Sequence, residues 1–410
     1  MSGKKILSRL ESRDGKRFLP YSRHLIEEDD VEAVAEVLRG DWLTTGPKVG
    51  AFEKALAAKI GAAHAVSCSS GTAGLHLAMM ALGLGPGDSV IVPTVTFVST
   101  ATMVRHVGAE VIFADVDPDT GLMGALEFAA ALERAGDDRV KAVIAVHLAG
   151  QCADPAAIGD LAGEHGIRVI EDACHALGTR WEKKSVGSCG YSDMAVFSFH
   201  PVKTIAMGEG GAVAANDDEL AGRLALLRNH GMTREPEAFT NADLAFDEQG
   251  LPNPWYYEVH EAGLNYRASD IHCALGLSQL GKLERFVRRR RELAAHYERL
   301  LADLAPLVRP VGRIPGCRPA WHLFVVLIDF AAAGITRASL MRRLRDDGIG
   351  TQVHYIPLHK QPYYRRRYGT AALPGSERYY ARALSLPLFP GMSEDDVERV
   401  VAALASVLDR

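Results

Sequence analysis

The sequence lacks paired cysteines, long apolar runs and an excess of positive charge. Its six cysteines form no CxxC pair and have no zinc-ligand spacing, so we expect reduced thiols and no metal site. No stretch approaches about 18 uninterrupted apolar residues, and the charged N-terminal segment lacks the apolar centre of a signal peptide. These absences predict a cytoplasmic protein that does not insert into a membrane.

The charge balance argues against nucleic acid as a binding partner. The formal net charge is -5 at pH 7, although the segments RFVRRRREL (285–293) and YYRRRYG (363–369) are locally basic. A polyanion-binding protein usually presents a basic surface. We therefore interpret both segments as solvated faces of a helix or loop, and we expect no nucleic-acid partner.

Short apolar runs alternate with helix-like segments along most of the chain. The strand-like runs are SVIVPT, AEVIFADVD, VKAVIAVHLAG, IRVIEDA and MAVFSFH. The stretches between them are long enough for helices, which is the pattern of right-handed βαβ crossovers in a mostly parallel sheet. The sequence thus predicts an N-terminal extension at 1–20 and a large α/β domain at 21–280.

The last part of the chain has a different pattern. A helix-like segment rich in arginine and glutamate runs from Leu275 to about Ala305. Beyond it, WHLFVVLID and IGTQVHYIP look like strands, whereas SLMRRLRDDG and EDDVERVVAALASVL have helical spacing. We expect residues 281–410 to form a linking helix and a small α+β domain.

The segment SFHPVKTIAMGEGG contains the candidate catalytic residue. A single lysine is usually a solvated cation, but Lys203 follows an apolar run and precedes a glycine-rich turn at 208–211. This context predicts a tight, partly desolvated loop at a strand end. Desolvation lowers a lysine pKa, and the neutral amine is the form that reacts with a carbonyl cofactor such as pyridoxal 5'-phosphate (PLP).

A PLP site also requires an anion beside the pyridine nitrogen, because the protonated ring acts as the electron sink. Asp172 ends the run IRVIEDA, and ligands of open α/β sheets bind at the carboxyl ends of strands. An aspartate there is more often a cap or turn residue. His175 follows closely enough to contact the phenolic oxygen of PLP, although a lone histidine is ordinarily structural.

Four further residues suit the phosphate and the ring of such a cofactor. Gly71 and Thr72 lie where an apolar run turns into a helix, whose first amides can bind an anion. Ser198 offers a hydroxyl, and Phe97 offers a ring for stacking. Each feature alone is weak, because small-residue turns, strand serines and core aromatics are common.

Together these segments resemble the DegT/DnrJ/EryC1/StrS family of nucleotide-sugar aminotransferases. The resemblance covers nearly everything from about Leu19 to the end of the chain. Its motifs include LTTGPKVGAFE, SSGTAGLHLAM, VPTVTFVSTATMV, EDACHALG, SFHPVKTIAMGEGGAV, LNYRASDIHCALGLSQL and VHYIPLHKQPYY. The resemblance implies the PLP-dependent fold type I of aspartate aminotransferase, with a large mostly parallel-sheet domain and a smaller C-terminal α+β domain.

The resemblance also implies a role for each of these residues. Lys203 would carry PLP, Asp172 would pair with the pyridine nitrogen and His175 would contact the phenolic oxygen. Phe97 would stack on the ring. The phosphate would be held by Gly71, Thr72 and Ser198.

A homodimer is implied by the N-[YF]-R motif of the family. The asparagine of that motif reaches into the active site of the other subunit, and Asn265 occupies its position here. The resemblance therefore implies two identical subunits with shared active sites.

Within the family, EDACHALG, TQVHYIPLHKQPYY and ALSLPLFP look most like transaminases of pseudaminic acid biosynthesis. This likeness implies transfer of an amino group from L-glutamate to C4 of a UDP-linked 4-keto-6-deoxy-N-acetylhexosamine, which gives UDP-4-amino-4,6-dideoxy-N-acetyl-β-L-altrosamine. The residues that would line the sugar-nucleotide pocket are Tyr21, Asp41, Trp42, Leu43, Thr44, Gln352, Val353, His354 and Tyr355. His354 and Tyr355 are the preferred hydroxyl and phosphate contacts, and the alternative for both is a buried strand end.

Two features depart from the family pattern. The loop after the lysine reads TIAMGEGG where relatives commonly have threonines, which predicts a lost hydroxyl near the cofactor and an altered substrate fit. The N-terminal extension and the insert EAFTNADLAFDEQGLPNPW lie outside the strongest resemblance, and neither is assigned a role.

Three other functions fit parts of the pattern. The main alternative is a different keto sugar, linked to GDP or dTDP or aminated at C3. A sugar 3-dehydratase is disfavoured, because those relatives replace the lysine with histidine and Lys203 is present. A non-catalytic ligand-binding regulator is disfavoured because a candidate for every cofactor contact is intact.

Overall fold

A seven-stranded sheet forms the centre of the fold in a computed structural model that describes residues 17–136 and 140–409. The strands are β1 (His64–Cys68), β2 (Ser89–Pro93), β3 (Glu110–Ala114), β4 (Val140–Val146), β5 (Arg168–Asp172), β8 (Met194–Ser198) and β9 (Gly211–Ala215). Their spatial order is β1-β9-β8-β5-β4-β2-β3, and only β9 runs against the others. The predicted mostly parallel α/β sheet is confirmed.

Both faces of this sheet are buried. Val90 and Val92 of β2 pack in one apolar core, whereas Ile91 packs in the core on the opposite side. This alternation follows from the two-residue period of a strand. The helices of this part of the chain are α1 (Glu28–Arg39), α2 (Pro47–Ile60), α3 (Gly71–Ala81), α4 (Val98–His106), α5 (Ala125–Ala135), α6 (Pro155–Glu164) and α7 (Asp218–Arg228).

Short paired strands lie outside the seven-stranded sheet. β6 (Arg180–Trp181) pairs with β7 (Lys184–Ser185), and β10 (Met232–Thr233) pairs with β11 (Glu258–Val259). The insert that begins EAFTNADLAFD contains the short helix α8 (Ala242–Ala245). Its backbone is anchored by the Glu258 carboxylate, which accepts hydrogen bonds from the amides of Thr240 and Asn241.

The predicted linking helix is two helices, α9 (Asp270–Gly281) and α10 (Leu283–Leu301). They meet at Lys282, whose side chain is only 9% exposed. Its ammonium group donates to Asp29 at 2.5 Å and lies 2.8 Å from a carboxylate oxygen of Asp30, both in α1. A single continuous helix was therefore a wrong prediction, because Lys282 ends α9 and precedes α10 while its side chain is held by α1.

The rest of the chain forms a small antiparallel sheet with flanking helices. Its strands, in spatial order, are β12 (Val308–Pro310), β14 (Phe324–Ile328) and β15 (Ala383–Leu386), and β13 (Cys317–Arg318) pairs with β6. The helices are α11 (Arg337–Asp346), α12 (Pro362–Tyr368), α13 (Pro374–Arg382) and α14 (Glu394–Val407). The small sheet shares one apolar core with Ile91 and Val143 of the large sheet. The domain boundary at 280/281 stays a prediction.

The prediction of a strand in IGTQVHYIP is wrong. Ile349 bridges to Leu19, and Gln352 bridges to Ser385, so the segment changes partner instead of continuing one ladder. Beyond Gln352 the chain leaves the sheet edge, and the Leu358 amide donates to the Thr94 carbonyl. This path brings residues 352–356 to the cavity described below.

The interpretation of RFVRRRREL as a solvated face is wrong for one residue. Arg288 is exposed, but Arg290 is fully buried. Along the described residues, no helix combines the length and the apolar character needed to span a membrane.

Candidate active site

A cavity of about 630 Å³ opens at the carboxyl ends of β5 and β8. Parallel strands end at one edge of an open sheet, which is where ligands of such folds bind. The predicted site residues that line it are Tyr21, Gly71, Thr72, Phe97, Asp172, His175, Ser198, Lys203, Gln352, Val353, His354 and Tyr355. The fold thus brings together residues from distant motifs.

Lys203 lies in the loop that joins β8 to β9. Hydrogen bonds close this loop at its base: the Phe199 amide donates to Gly210, and the Met207 amide donates to Phe199, both at 2.8 Å. Burial lowers the pKa of the Lys203 ammonium, while the nearby Cys174 and Asp172 act in the opposite direction. A lowered pKa increases the fraction of neutral amine, which is the nucleophilic form.

Asp172 ends β5 and is only 6% exposed. One carboxylate oxygen accepts a hydrogen bond from the Thr100 hydroxyl at 2.8 Å, and the other accepts one from the Cys174 amide at 3.2 Å. The Thr96 hydroxyl lies 2.9 Å from that of Thr100. The carboxylate is therefore fixed, and its charge suits a protonated pyridine nitrogen.

Thr100 was not predicted as a site residue from the sequence. It is fully buried in the first turn of α4, three residues after the candidate stacking residue Phe97. The only available signal was the run of hydroxyl residues in VPTVTFVST.

His175 is buried and neutral. Burial moves the pKa of its imidazole well below the usual range, and the positive charge of Lys203 adds to this effect. Nδ1 accepts a hydrogen bond from the Ala149 amide at 3.3 Å, so the proton of the neutral ring lies on Nε2. Nε2 is 3.3 Å from the Tyr355 hydroxyl, at the cavity wall.

The start of α3 forms an anion cradle. Ser70 caps the helix by accepting a hydrogen bond from the Ala73 amide at 3.1 Å. A Cβ on Gly71 would lie 2.8 Å from the Cβ of Ser198, and one on Gly211 would lie 2.3 Å from the Ser70 carbonyl oxygen. Only glycine fits at these positions, and the close packing places the first helical turn beside the Ser198 hydroxyl. Such a helix start binds phosphate.

Phe97 is 54% exposed although it is aromatic. Its ring centroid lies 6.0 Å from that of Tyr355, and both rings line the cavity. The core alternative is therefore wrong for Phe97, and its free face is available for a planar ligand.

His354 is buried beside Tyr21, with ring centroids 5.5 Å apart. Burial lowers the pKa of His354 to about 3, and its Nδ1 lies 2.8 Å from the Ser385 hydroxyl. Burial also raises the pKa values of the Tyr21 and Tyr355 hydroxyls. This end of the cavity therefore presents neutral hydrogen-bonding groups.

Five predicted residues lie outside this cavity in the single chain. Asn265 is exposed and bridges to Asn229, and the exposed segment 41–44 bridges to Ser269 through Thr44. Trp42 and Leu43 are 59% and 49% exposed. Their role in the site of a second subunit stays a prediction.

The cavity also contains residues that the sequence did not single out. They include Thr96, Ser99, Cys174, His200, Glu209 and Gln361. Glu209 and Gln361 lie within the quoted motifs GEGG and LHKQPYY, which was the only signal for them.

Ala206 and Met207 stand where relatives commonly have threonines in the loop after Lys203, and neither residue lines the cavity. Ala206 and Met207 are 3% and 1% exposed, and Met207 packs in the core against Gly210 and Gly276. The predicted loss of a hydroxyl beside the cofactor is therefore not supported by their position.

These features fit PLP: a lysine with a lowered pKa, a fixed buried carboxylate, a neutral imidazole and an anion cradle on a mostly parallel sheet. They define a PLP-dependent enzyme of fold type I. The chain belongs to the DegT/DnrJ/EryC1/StrS aminotransferase family, whose model matches residues 24–405. The chain is therefore a PLP-dependent nucleotide-sugar aminotransferase, and a structurally similar protein, Spr1654 of Streptococcus pneumoniae, has been solved in a form with PLP and in a form with its amino derivative, PMP.

Three relatives illustrate this similarity. The spore coat polysaccharide biosynthesis protein SpsC of Bacillus subtilis is 42% identical over 394 residues, which cover 95% of this chain and 97% of SpsC. PseC of Helicobacter pylori, an aminotransferase of pseudaminic acid biosynthesis, has 30% identity and a TM-score of 0.86, with 96% of this chain and all of PseC covered. DesI, solved with its TDP-sugar product, has 34% identity and a TM-score of 0.82, with 96% of this chain and 93% of DesI covered.

Proposed function

We propose that the protein transfers an amino group from L-glutamate to C4 of a UDP-linked 4-keto-6-deoxy-N-acetylhexosamine. The product would be UDP-4-amino-4,6-dideoxy-N-acetyl-β-L-altrosamine, a precursor in pseudaminic acid biosynthesis. The observation that carries the amino-transfer chemistry is the convergence of Lys203, Asp172 and His175 on one cavity. The similarity to PseC supports the choice of sugar.

In this proposal Lys203 is both the attachment point for PLP and the proton carrier. When bound, PLP supplies an electron sink and carries the amino group between the two substrates. The neutral Nζ of Lys203 takes the proton from the α-carbon of glutamate, and in the second half-reaction it delivers a proton to C4 of the sugar. Its lowered pKa favours the base form that begins this cycle.

The other residues hold the reacting groups in place. Asp172 would pair with the pyridine nitrogen, and His175 would donate from Nε2 to the phenolic oxygen. Phe97 would cover one face of the ring, while the first amides of α3 and the Ser198 hydroxyl would bind the phosphate.

The sugar nucleotide would lie at the Tyr21 and 352–355 end of the cavity. His354 and Tyr355 are neutral there, so they would bind hydroxyl or phosphate oxygens by hydrogen bonds and not as ions. In a homodimer, Asn265 and residues 41–44 of one subunit would complete the site of the other.

Amination of a TDP-linked keto sugar is the second candidate function. DesI was solved with a TDP-sugar product and is 34% identical to this chain, compared with 30% for PseC. The two candidates share every residue assigned to PLP and differ only in the sugar nucleotide.

An absorbance experiment separates these possibilities. The purified protein with PLP should show a band near roughly 410 to 430 nm, which glutamate converts to one near about 330 nm. The UDP-4-keto sugar should then restore the first band, and Lys203→Ala should show neither the shift nor turnover. If only a TDP-linked keto sugar restores the band, the second candidate is correct. Substantial turnover by Lys203→Ala would refute the catalytic assignment.

A further inference from the structure

A second buried histidine, which does not line the cavity, packs against His175. The ring centroids of His175 and His322 are 4.3 Å apart, with 45° between the ring planes. His322 is 2% exposed, and its Nδ1 has no hydrogen-bond partner within residues 17–136 and 140–409. Its side chain does not line the cavity, so it can act there only through His175.

Ala149 connects the two histidines. Its amide donates to His175 Nδ1 at 3.3 Å, and its carbonyl accepts from the His322 amide at 2.9 Å. The next residue, Gly150, leaves no space between the two segments. A Cβ there would lie 2.9 Å from both the His175 carbonyl oxygen and the His322 amide nitrogen. The separation of the two imidazoles is thus fixed by the backbone.

Arg290 fixes the other side of the His322 segment. Its guanidinium donates to the carbonyls of Trp321, His322 and Leu388 at 3.3, 3.1 and 2.9 Å. Arg290 is fully buried, and no carboxylate of the described part of the chain forms an ion pair with it. Burial moves the pKa of the His322 imidazole well below its usual range, and the charges of Lys203 and Arg290 act in the same direction, so this ring stays neutral.

Burial opposes a second proton on His175, and the positive charges of Lys203 and His354 act in the same direction on its pKa. The titratable groups around it are Lys203 from the β8–β9 loop, His354 and Tyr355 from the 352–356 segment, His322 from the segment before β14, and Asp172 and Cys174 from its own turn. The Thr100 hydroxyl and the Cys174 amide already donate to the two carboxylate oxygens of Asp172.

We propose that His322 is a positioning residue that holds the His175 ring in the orientation and tautomer in which the Nε2 proton faces the cavity. Rotation of the His175 ring would break the bond from Ala149 and would move the ring into the space that His322 fills. This inference rests on the proposed function, in which Nε2 donates to the phenolic oxygen of PLP.

The loss of this contact has a spectroscopic consequence. A hydrogen bond donated to the phenolic oxygen offsets its negative charge, which weakens its hold on the proton that it shares with the Lys203 nitrogen. If the His175 ring loosens, that proton is held more strongly. The visible band of the bound cofactor then persists to higher pH.

The test is a pH titration of the visible band in the PLP-loaded protein and three variants. His322→Ala removes the ring that packs against His175, His322→Phe keeps an aromatic ring without nitrogens, and Leu323→Ala is the control that opens the neighbouring apolar core. We expect the midpoint of His322→Ala to rise by about half a pH unit or more. His322→Phe and Leu323→Ala should stay close to the unmodified protein, with folding checked by circular dichroism.

Two results would overturn the inference while the proposed function stands. One is a folded His322→Ala protein with an unchanged midpoint. The other is a His322→Phe midpoint that shifts as far as that of His322→Ala, because the effect would then belong to the ring nitrogens and not to the packing of the ring against His175. If the unmodified protein shows no visible band with PLP, the proposed function itself fails.

Discussion

Replacing Thr100 with valine should weaken both the fold and the amino-transfer reaction. The change keeps the shape of the side chain and removes the hydroxyl that donates to Asp172 at 2.8 Å. A buried hydrogen bond to a charged group contributes about 1.5–3 kcal/mol, and the Thr96 hydroxyl also loses its partner. We expect the free energy of unfolding to fall by about 2 kcal/mol or more.

The effect on catalysis follows from the same bond. In the proposed function Asp172 would stabilise the protonated ring only if its carboxylate is held in place, and each 1.4 kcal/mol or so lost in the transition state lowers the rate about tenfold. The rate at which glutamate bleaches the visible band should therefore fall by about tenfold, while PLP still binds.

The matched control is Thr102→Val, two residues along the same helix. The Thr102 hydroxyl lies 3.1 Å from that of Tyr364, which is a neutral partner outside the site. This variant should lose about 1 kcal/mol of stability and keep the bleaching rate. Urea unfolding and stopped-flow absorbance measure the two quantities. Equal behaviour of the two variants in both assays would refute this account of Asp172.

Three further predictions follow from the site and its surroundings. Gly71→Ala should weaken PLP binding by about tenfold because the added Cβ meets Ser198, whereas Gly222→Ala, with open space around it, should bind PLP normally in a fluorescence titration; equal affinities would contradict the cradle. Burial lowers the pKa of His354 to about 3, whereas a histidine in the unfolded chain has a pKa of about 6.5. Between these two pH values the unfolded chain binds a proton that the folded chain does not, so the free energy of unfolding decreases as the pH falls from about 6.5 toward 3. His354→Gln should make the acid-side loss of unfolding free energy shallower in urea titrations between neutral pH and about pH 5, and an unchanged slope would argue against this. Met207→Thr should lower stability by about 2 kcal/mol or more, because the side chain is 1% exposed, and should leave the choice of sugar nucleotide unchanged in competition assays; altered selectivity would restore the hypothesis of a missing hydroxyl.

The residues predicted best from the sequence are those that local pattern places at strand ends. Lys203 and Asp172 each follow an apolar run, and parallel strands bring their carboxyl ends to one edge. The periodicity that identified the central strands needed no long-range information.

The contacts that orient these residues could not be predicted from the sequence. Thr100 reaches Asp172 across 72 positions of the chain, and His322 reaches His175 from the segment before β14. No local period encodes such pairs, since they depend on how whole elements pack. The prediction of a strand at 349–357 was wrong for a related reason. The apolar alternation of this segment fits a strand, but its neighbours form only single bridges with it.

The apolar core shared by the two sheets has a consequence for how the enzyme is made. Ile91 and Val143 pack in one cluster with Val326 and Leu384, so this face of the large sheet stays open until Val326 and Leu384 have been synthesised. A fragment that stops near residue 280 would expose that face to aggregation and would lack 352–355 of the cavity. We therefore expect the PLP site to form late in folding, only after residues 352–355 have been synthesised.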